Sequence, residues 1–88
     1  MKVPIYSGQF KKDYKLVKKR GNDVDELKRI FTELIKGNRL PPQNKDHALS
    51  GDYQGCRECH VKPDLLVIYQ TDLTEITFIR VGTHSDLF

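Results

Sequence analysis

Three histidines, one aspartate and one arginine in the second half of the chain are residue types that move protons and hold phosphate groups. His47, His60 and His84 are the only histidines, and Asp64 and Arg80 both lie between the second and the third of them. An imidazole has a pKa of about 6.5, so it can act as an acid or a base at neutral pH. The planar guanidinium of an arginine suits a phosphate group.

Metal-free cleavage of RNA needs such a set of residues. A base takes the proton of the ribose 2′-hydroxyl, an acid protonates the departing 5′-oxygen, and a cation stabilises the negative charge on the phosphoryl group. The same three imidazoles could instead bind a zinc ion and leave its fourth position open. The spacing of these residues does not separate RNA cleavage from zinc binding.

The segment Cys56-Arg57-Glu58-Cys59-His60 has the C-x-x-C-H pattern of covalent haem attachment, and its thiolates are also potential zinc ligands. We predict that this segment is a strand, in which successive side chains point to opposite faces. Cys56 then shares a face with Glu58 and His60, whereas Cys59 points to the other face. Because the two cysteines diverge, we expect neither haem nor zinc at this motif, and Cys59 becomes a small core residue beneath the helices.

The charge of the chain is concentrated near its N-terminus. The net charge is +3, but the first twenty residues contain seven basic residues and one acid. Four of these basic residues form a lysine stripe on one face of a predicted helix: Lys11, Lys15, Lys18 and Lys19. Such a stripe is either a surface that binds a polyanion or a solvated helix face.

The length of 88 residues predicts one domain with one core. No apolar run approaches the roughly 18 residues of a membrane span, and the first residues lack the apolar region of a signal peptide. We therefore expect a cytoplasmic protein without a membrane partner, whose two cysteines are reduced.

The hydrophobic periodicity predicts an α+β fold. We expect a two-helix antiparallel hairpin packed on one face of an antiparallel sheet, with the other face available for binding. Arg80 is predicted to share a face of the last strand with Ile76 and Phe78. The predicted elements are an edge strand at 3–6, helices from 8 to about 20 and from 24 to 36, a long loop at 38–55, and strands at 56–61, 65–70 and 75–81.

Three segments resemble, in the same order along the chain, the motifs of the RelE/YafQ superfamily of bacterial toxins, most closely its histidine-rich YafQ branch. They are KDHALSG, RECHVKPDLLVIY and RVGTHSDLF. The resemblance covers essentially the whole chain. It implies a single RelE-like, microbial-RNase-type toxin domain over residues 1–88. It also implies a toxin of a type II toxin–antitoxin pair that cleaves messenger RNA in the ribosomal A site, with no haem, metal or other cofactor. The implied partners are a cognate antitoxin, the ribosome and messenger RNA.

The resemblance also implies roles for individual residues. The functional positions of the branch fall on His47, His60, Asp64, Arg80, His84 and the terminal aromatic residue Phe88. We expect His84 to be the general acid and either Asp64 or His60 to be the general base. Arg80 is expected to stabilise the phosphate, His47 to orient or contact the scissile group, and Phe88 to help place the substrate base.

The lysine stripe is then expected to meet the phosphates of ribosomal RNA. Two other functions are compatible with the residues themselves. One is a non-catalytic RNA- or protein-binding module on the same fold, which would need the lysines but not the histidines. The other is a small zinc protein built on the histidines or on the cysteines.

Overall fold

The first strand and the first helix follow directly from local signals in the sequence. The computed structural model describes all 88 residues and begins with strand β1 (Val3–Tyr6) and helix α1 (Gly8–Lys19). The Ser7 hydroxyl caps α1 by accepting a hydrogen bond from the backbone N–H of Phe10 at 2.9 Å. Gly21 follows the helix with a φ of 79°, a left-handed conformation that favours glycine, and so the chain turns there.

The second helix, α2 (Val24–Lys36), also has the predicted limits. The Asp23 carboxylate caps it by accepting from the backbone N–H of Glu26 at 3.0 Å. The Glu26 carboxylate pairs with Arg29, one turn further on, at 2.5 Å. Gly37, with a φ of 79°, ends the helix.

The sheet has five strands in the order β1-β5-β4-β3-β2. Neighbouring strands run antiparallel except that β1 is parallel to β5. The sheet is therefore mixed. The predicted antiparallel pairing holds for the strands after the helices, and the first strand, for which no direction was predicted, joins them in parallel. The β1–β5 pairing joins the two ends of the chain, so no local pattern specifies its direction. The strands after α2 are β2 (His47–Ala48), β3 (Arg57–Lys62), β4 (Leu65–Thr71) and β5 (Glu75–Gly82).

The segment predicted as a long loop contains short ordered pieces. Two single 3-10 turns, Pro42–Asn44 and Gly51–Tyr53, lie on either side of β2. β2 has only two residues, and its pairing with β3 places His47 opposite Glu58. The loop is thereby fastened to the strand that contains His60.

The main hydrophobic core lies between the two long helices and one face of the sheet. Phe31 of α2 contacts Phe10 of α1 and Phe78 of β5, with ring centroids 5.6 Å and 5.0 Å apart. A smaller apolar cluster lies on the opposite face of the sheet, so that face is only partly open. Its buried members are Cys56, Leu66, Ile68 and Leu87.

A short third helix, α3 (His84–Leu87), covers part of that second face, whereas the sequence analysis predicted no element after the strand at 75–81. The Thr83 hydroxyl and the Asp86 carboxylate form a capping box at its start. Asp86 also pairs with Arg20 at the end of α1, and this hydrogen bond is the main cause that lowers the pKa of Asp86 to about 2. None of the three helices is long and apolar enough to cross a membrane.

A β-bulge at Ile79 changes which way the end of β5 faces. Phe78 is opposite Tyr69, the next pair along is Arg80 with Ile68, and Ile79 is left without a partner in the register. Tyr69 and Phe78 belong to the core beneath the helices, whereas Ile68 belongs to the cluster on the other face. Arg80 therefore does not share a face with Phe78, contrary to the prediction from simple alternation.

A largely buried ion pair connects α1 to β5. Asp13 is 7% exposed and accepts hydrogen bonds from Arg80 Nε at 2.7 Å and Nη2 at 3.2 Å. The backbone N–H of Val81 also donates to this carboxylate, at 3.3 Å. The hydrogen bond with Asp13 is the main cause that raises the pKa of Arg80. The guanidinium of Arg80 is therefore held in place by the Asp13 carboxylate of α1.

We predict that Asp13→Ala destabilises the protein by about 3 kcal/mol, because removing one partner of a buried pair leaves the other without its counter-charge. Urea unfolding at pH 7 measures this change in the free energy of unfolding. Asp25→Ala is the matched control, since Asp25 is an exposed carboxylate on α2 and its loss should cost less than about 1 kcal/mol. Equal effects of the two substitutions would contradict the structural role of the Asp13–Arg80 pair.

Candidate active site

A buried carboxylate lies between two of the three histidines. Glu58 is only 4% exposed, and its Oε1 lies 3.2 Å from Nε2 of His60 and 3.7 Å from Nε2 of His47. On the other side of the His47 ring, Nδ1 donates to the carbonyl oxygen of Lys45 at 2.6 Å. His60 is therefore oriented by an acid of its own strand, and His47 by Glu58 of the neighbouring strand and by Lys45 in the loop before β2.

The third histidine is held by the aspartate that the sequence analysis singled out. Asp64, in the turn between β3 and β4, accepts two hydrogen bonds from His84 through Oδ1. One comes from the backbone N–H at 3.0 Å and the other from ring Nδ1 at 2.8 Å. These bonds, the backbone one first, lower the pKa of Asp64. Since an ionised carboxylate only accepts, Nδ1 of His84 has the proton.

The aromatic rings of the site form a continuous row. The ring centroid of His60 is 6.3 Å from that of His47 and 5.7 Å from that of His84. The row continues from His84 to Phe88 at 6.4 Å and from Phe88 to Tyr53 at 5.6 Å. Four of the predicted site residues thus lie together, and the Phe88 side chain is exposed at the end of the row.

Arg80 lies beside this row rather than in it. Its Nε and Nη2 are bonded to Asp13, and Nη2 also donates to the backbone carbonyl of Asp86 in α3 at 3.4 Å. Tyr53 is another of the groups that raise the pKa of Arg80, and its hydroxyl donates to the carbonyl of Leu87 at 3.3 Å. Arg80 is therefore connected to the segment that contains His84 and Phe88.

The lysine stripe lies in a separate groove. Lys11, Lys15 and Lys18 line it, together with Lys28 and four aromatic side chains, and none of the three histidines is among its lining residues. Lys18 Nζ lies 5.8 Å from the centre of the Tyr14 ring. Lys19 is exposed at the end of α1 but does not line the groove. Three of the four predicted lysines therefore line one groove, and this groove is separate from the histidine site.

The two cysteines point to opposite faces of the sheet, as the strand prediction requires. Cys59 belongs to the core beneath the helices and Cys56 to the cluster on the other face, and both are free thiols. Burial raises the pKa of Cys59 to about 12, so this group stays a thiol rather than the thiolate that a metal needs. The two cysteines therefore do not form a shared zinc or haem site.

A metal ion fits a different set of residues. One oxygen of Glu58 and one ring nitrogen each from His60 and His84 lie within 4.8 Å of one another. Two imidazoles and a carboxylate form a donor set that suits zinc, copper or iron. His47 is not in this group, so the three-histidine zinc site considered from the sequence is replaced by one that contains Glu58.

Glu58 is the residue that the sequence reasoning missed. Strand alternation already placed it on the same face as Cys56 and His60, and an acid two residues before the motif histidine was the available signal. The capping signature Thr83-x-x-Asp86 was likewise present in the sequence and would have predicted α3.

Comparisons with known proteins agree with the motifs. The model of a family described as the bacterial toxin of type II toxin–antitoxin systems, YafQ, matches residues 3–88. The mRNA interferase toxin YafQ of Escherichia coli strain K12 is 45% identical over 84 residues, which cover 94% of this chain and 91% of that protein.

Two solved structures add to this. The crystal structure of the E. coli DinJ–YafQ toxin–antitoxin complex contains a chain that matches with a TM-score of 0.92 at 43% identity, covering 99% of this chain and 97% of that one. A metal-bound toxin from Helicobacter pylori matches with a TM-score of 0.91 at 39% identity and full coverage of both chains. Since the family model spans nearly the whole chain and the sequence and fold of these relatives agree with it, this chain belongs to the YafQ family of bacterial toxins of type II toxin–antitoxin systems.

Proposed function

We propose that this toxin is an endoribonuclease that cuts messenger RNA in the ribosomal A site by acid–base catalysis with His60 and His84. The observation that carries the proposal is that the ring centroids of His60 and His84 lie 5.7 Å apart. His60 also contacts the carboxylate of Glu58, and His84 contacts that of Asp64. An acid and a base on neighbouring rings suit a reaction that moves two protons at one phosphate. The name of the E. coli relative, an mRNA interferase, supports messenger RNA as the substrate.

His84 is the general acid in this proposal. Asp64 holds the proton of Nδ1, which leaves Nε2 to donate to the departing 5′-oxygen. To act as the acid, the ring must carry a second proton on Nε2, which is the proton that it transfers. Since the pKa of Asp64 is lowered by His84, Asp64 is a weak base, and its role is to position the acid.

His60 is the general base. A carboxylate 3.2 Å from Nε2 favours a proton on that nitrogen, so Nδ1 is left to accept the proton of the ribose 2′-hydroxyl. His47, whose Nδ1 is bonded to the Lys45 carbonyl, orients the substrate beside Glu58 rather than transferring a proton.

Arg80 and Phe88 act on the parts of the substrate next to the cut. Arg80 is bonded to Asp13, so it provides a fixed positive charge behind α3 that stabilises charge on the phosphate. Phe88 is exposed next to His84 and offers a surface on which a base can stack, an interaction that contributes about 1–3 kcal/mol.

The lysine groove is proposed as the surface for larger partners. Lys11, Lys15 and Lys18, with the neighbouring Lys19 on α1, suit ribosomal RNA phosphates and would position the toxin without reading sequence. The DinJ–YafQ complex supports an antitoxin as a further partner of this chain. An antitoxin with an acidic segment would neutralise the toxin by covering the basic or the catalytic surface.

Metal binding is a second property that the site supports. The metal-bound H. pylori relative favours it, and the donor set of Glu58, His60 and His84 fits. The acid–base reaction, however, needs Nδ1 of His60 free to accept a proton and Nε2 of His84 free to donate one. We therefore propose that the reaction itself is metal-free and that a metal ion at these residues would inhibit it.

His84→Ala should lower the rate of messenger RNA cleavage by about 10²–10⁴-fold, because the leaving oxygen loses its proton donor. Asp64→Asn should have a smaller effect, since the acid remains but is poorly oriented. Primer extension on a translated message measures the cuts, and circular dichroism checks the fold, which should persist because the His84 side chain is 54% exposed.

Two variants serve as controls for that experiment. Ser85→Ala changes an exposed neighbour on α3 and should cleave normally. Cys56→Ser should also cleave, since the proposed chemistry does not use a thiol. Full cleavage by His84→Ala, or a well-folded but inactive Cys56→Ser, would contradict the assignment.

Removing metal from the purified toxin should leave cleavage unchanged, whereas adding Zn²⁺ should reduce it. The toxin is treated with a chelator, freed from it by gel filtration, and assayed on ribosomes with and without Zn²⁺. Calorimetric Zn²⁺ binding should be weakened in Glu58→Gln, which loses a donor, but not in His47→Gln, which does not. Loss of cleavage on chelation with recovery on adding Zn²⁺ would contradict a metal-free reaction.

A further inference from the structure

A polar cleft of about 580 Å³ opens beside His60 and His84. Its other walls come from the beginning of α2, from loop residues 43–45 and from the end of β3 with the turn that follows. The only carboxylate among the lining residues is Glu26, and Arg29 already neutralises it at 2.5 Å. The excess positive charge of the cleft therefore comes from two side chains, Lys45 and Lys62. Lys62 Nζ also lies 3.6 Å from the exposed carboxylate of Asp23, which is not among the lining residues.

A second cleft of about 630 Å³ shares one of those cations. Lys45 lines both clefts, and the second one adds Arg39 and Arg57. Its only acid, Asp46, accepts hydrogen bonds from Arg57 and from Tyr69. The charge of Asp46 is therefore offset, and Lys45 and Arg39 remain as cations without a carboxylate partner among the lining residues.

The backbone at the junction of the clefts is unusual. Lys45 has a φ of 48°, the only left-handed non-glycine residue in the chain, a conformation that disfavours side chains with a Cβ. It is held there by its N–H, which donates to the carbonyl of Pro42, and by its own carbonyl, which accepts from His47. A strained residue that is held from both sides suggests that its placement serves the site.

Asn44, next to Lys45, leaves a polar atom without a partner in the wall of the first cleft. Its side chain is 4% exposed and its Nδ2 donates to the carbonyl of His60 at 2.8 Å. The carbonyl oxygen Oδ1 has no hydrogen-bond partner. A buried unpaired acceptor is costly, and a small rotation of the Asn44 side chain towards the cleft would let a donor on a bound nucleotide satisfy it.

We propose that these two clefts hold the RNA strand on one side of the scissile phosphate, with Lys62 and Lys45 bonded to the first phosphates and Arg39 further along. The proposal rests on the proposed function, since it takes RNA as the substrate. Clefts of this volume accommodate a nucleotide-sized group. Cations next to His60 and His84 would hold the strand in register, so that the 2′-hydroxyl and the leaving oxygen meet their proton partners.

The test is direct RNA binding in the absence of cleavage. A short single-stranded RNA with 2′-O-methyl groups throughout lacks the attacking hydroxyl, so the intact wild-type toxin can be titrated with it at a series of salt concentrations. Lys45→Gln and Lys62→Gln should each weaken binding several-fold and lower the slope of log affinity against log salt by about 0.7, the value for one phosphate contact in single-stranded nucleic acid.

Lys12→Gln is the matched control. Lys12 is an exposed lysine of α1 that lines neither cleft, so this variant makes the same change of charge and should keep the wild-type slope. In NMR spectra, the side-chain amide signal of Asn44 should move on adding RNA to wild type and to Lys12→Gln. This second readout locates the RNA in the cleft.

Three results would overturn the cleft assignment. They are no binding of the RNA by wild type at low salt, equal slopes for all three lysine variants, and an Asn44 signal that does not move. Cleavage of a translated message by wild type is measured in parallel. Normal cleavage with equal slopes contradicts only the cleft, whereas RNA bound in the cleft without any cleavage contradicts only the proposed function.

Discussion

The two hydrogen bonds from His84 to Asp64 fasten the start of α3 to the turn after β3, beside the strand of His60. Asp64 follows β3, the strand of His60, and His84 begins the helix after β5. The backbone bond fixes where α3 starts, and the ring bond fixes which nitrogen has the proton. Without this pair, the side chain of His84, the proposed acid, would be exposed and unanchored near a chain end, where ordering is weakest.

Other contacts hold α3, the helix that begins with His84. Arg20 and the capping box hold Asp86, Arg80 donates to the carbonyl of Asp86, and Leu87 is buried in the smaller apolar cluster. The buried carboxylate of Asp13 holds Arg80 in turn. Asp13 and Arg80 are the charges that burial alone would make unfavourable, and each compensates the other. The ordering of a four-residue helix is thus secured by groups from both ends of the chain.

Local signals predicted the helices and strands well, because caps, glycine stops and hydrophobic periodicity are features of short stretches of sequence. Serine and aspartate caps, two glycine stops and the periodicity of α2 gave both long helices, and alternation gave three strands to within about a residue or two of their observed ends. Alternation also placed Cys56 and Cys59 on opposite faces, which removed the haem and thiolate–zinc interpretations.

Long-range features were out of reach of the same reasoning. The parallel β1–β5 pairing depends on contacts between the chain ends, and the bulge at Ile79 breaks the alternation that had placed Arg80 beside Phe78. The histidines could be grouped from the sequence, but the position of Glu58 between two of them depends on the pairing of the two-residue strand β2. That pairing brings His47 to an acid that already contacts His60, the proposed base, on its own strand.

The chemical nature of the cut ends tests the central claim most directly. If His60 takes the proton of the ribose 2′-hydroxyl and His84 protonates the leaving oxygen, the 2′-oxygen attacks the phosphorus and no water enters at that step. RNA recovered from ribosomes with the toxin, analysed by mass spectrometry, should then have a 2′,3′-cyclic phosphate on the upstream fragment and a 5′-hydroxyl on the downstream one. A 5′-phosphate on the downstream fragment and a free 3′-hydroxyl upstream would show attack by water, and would contradict the account.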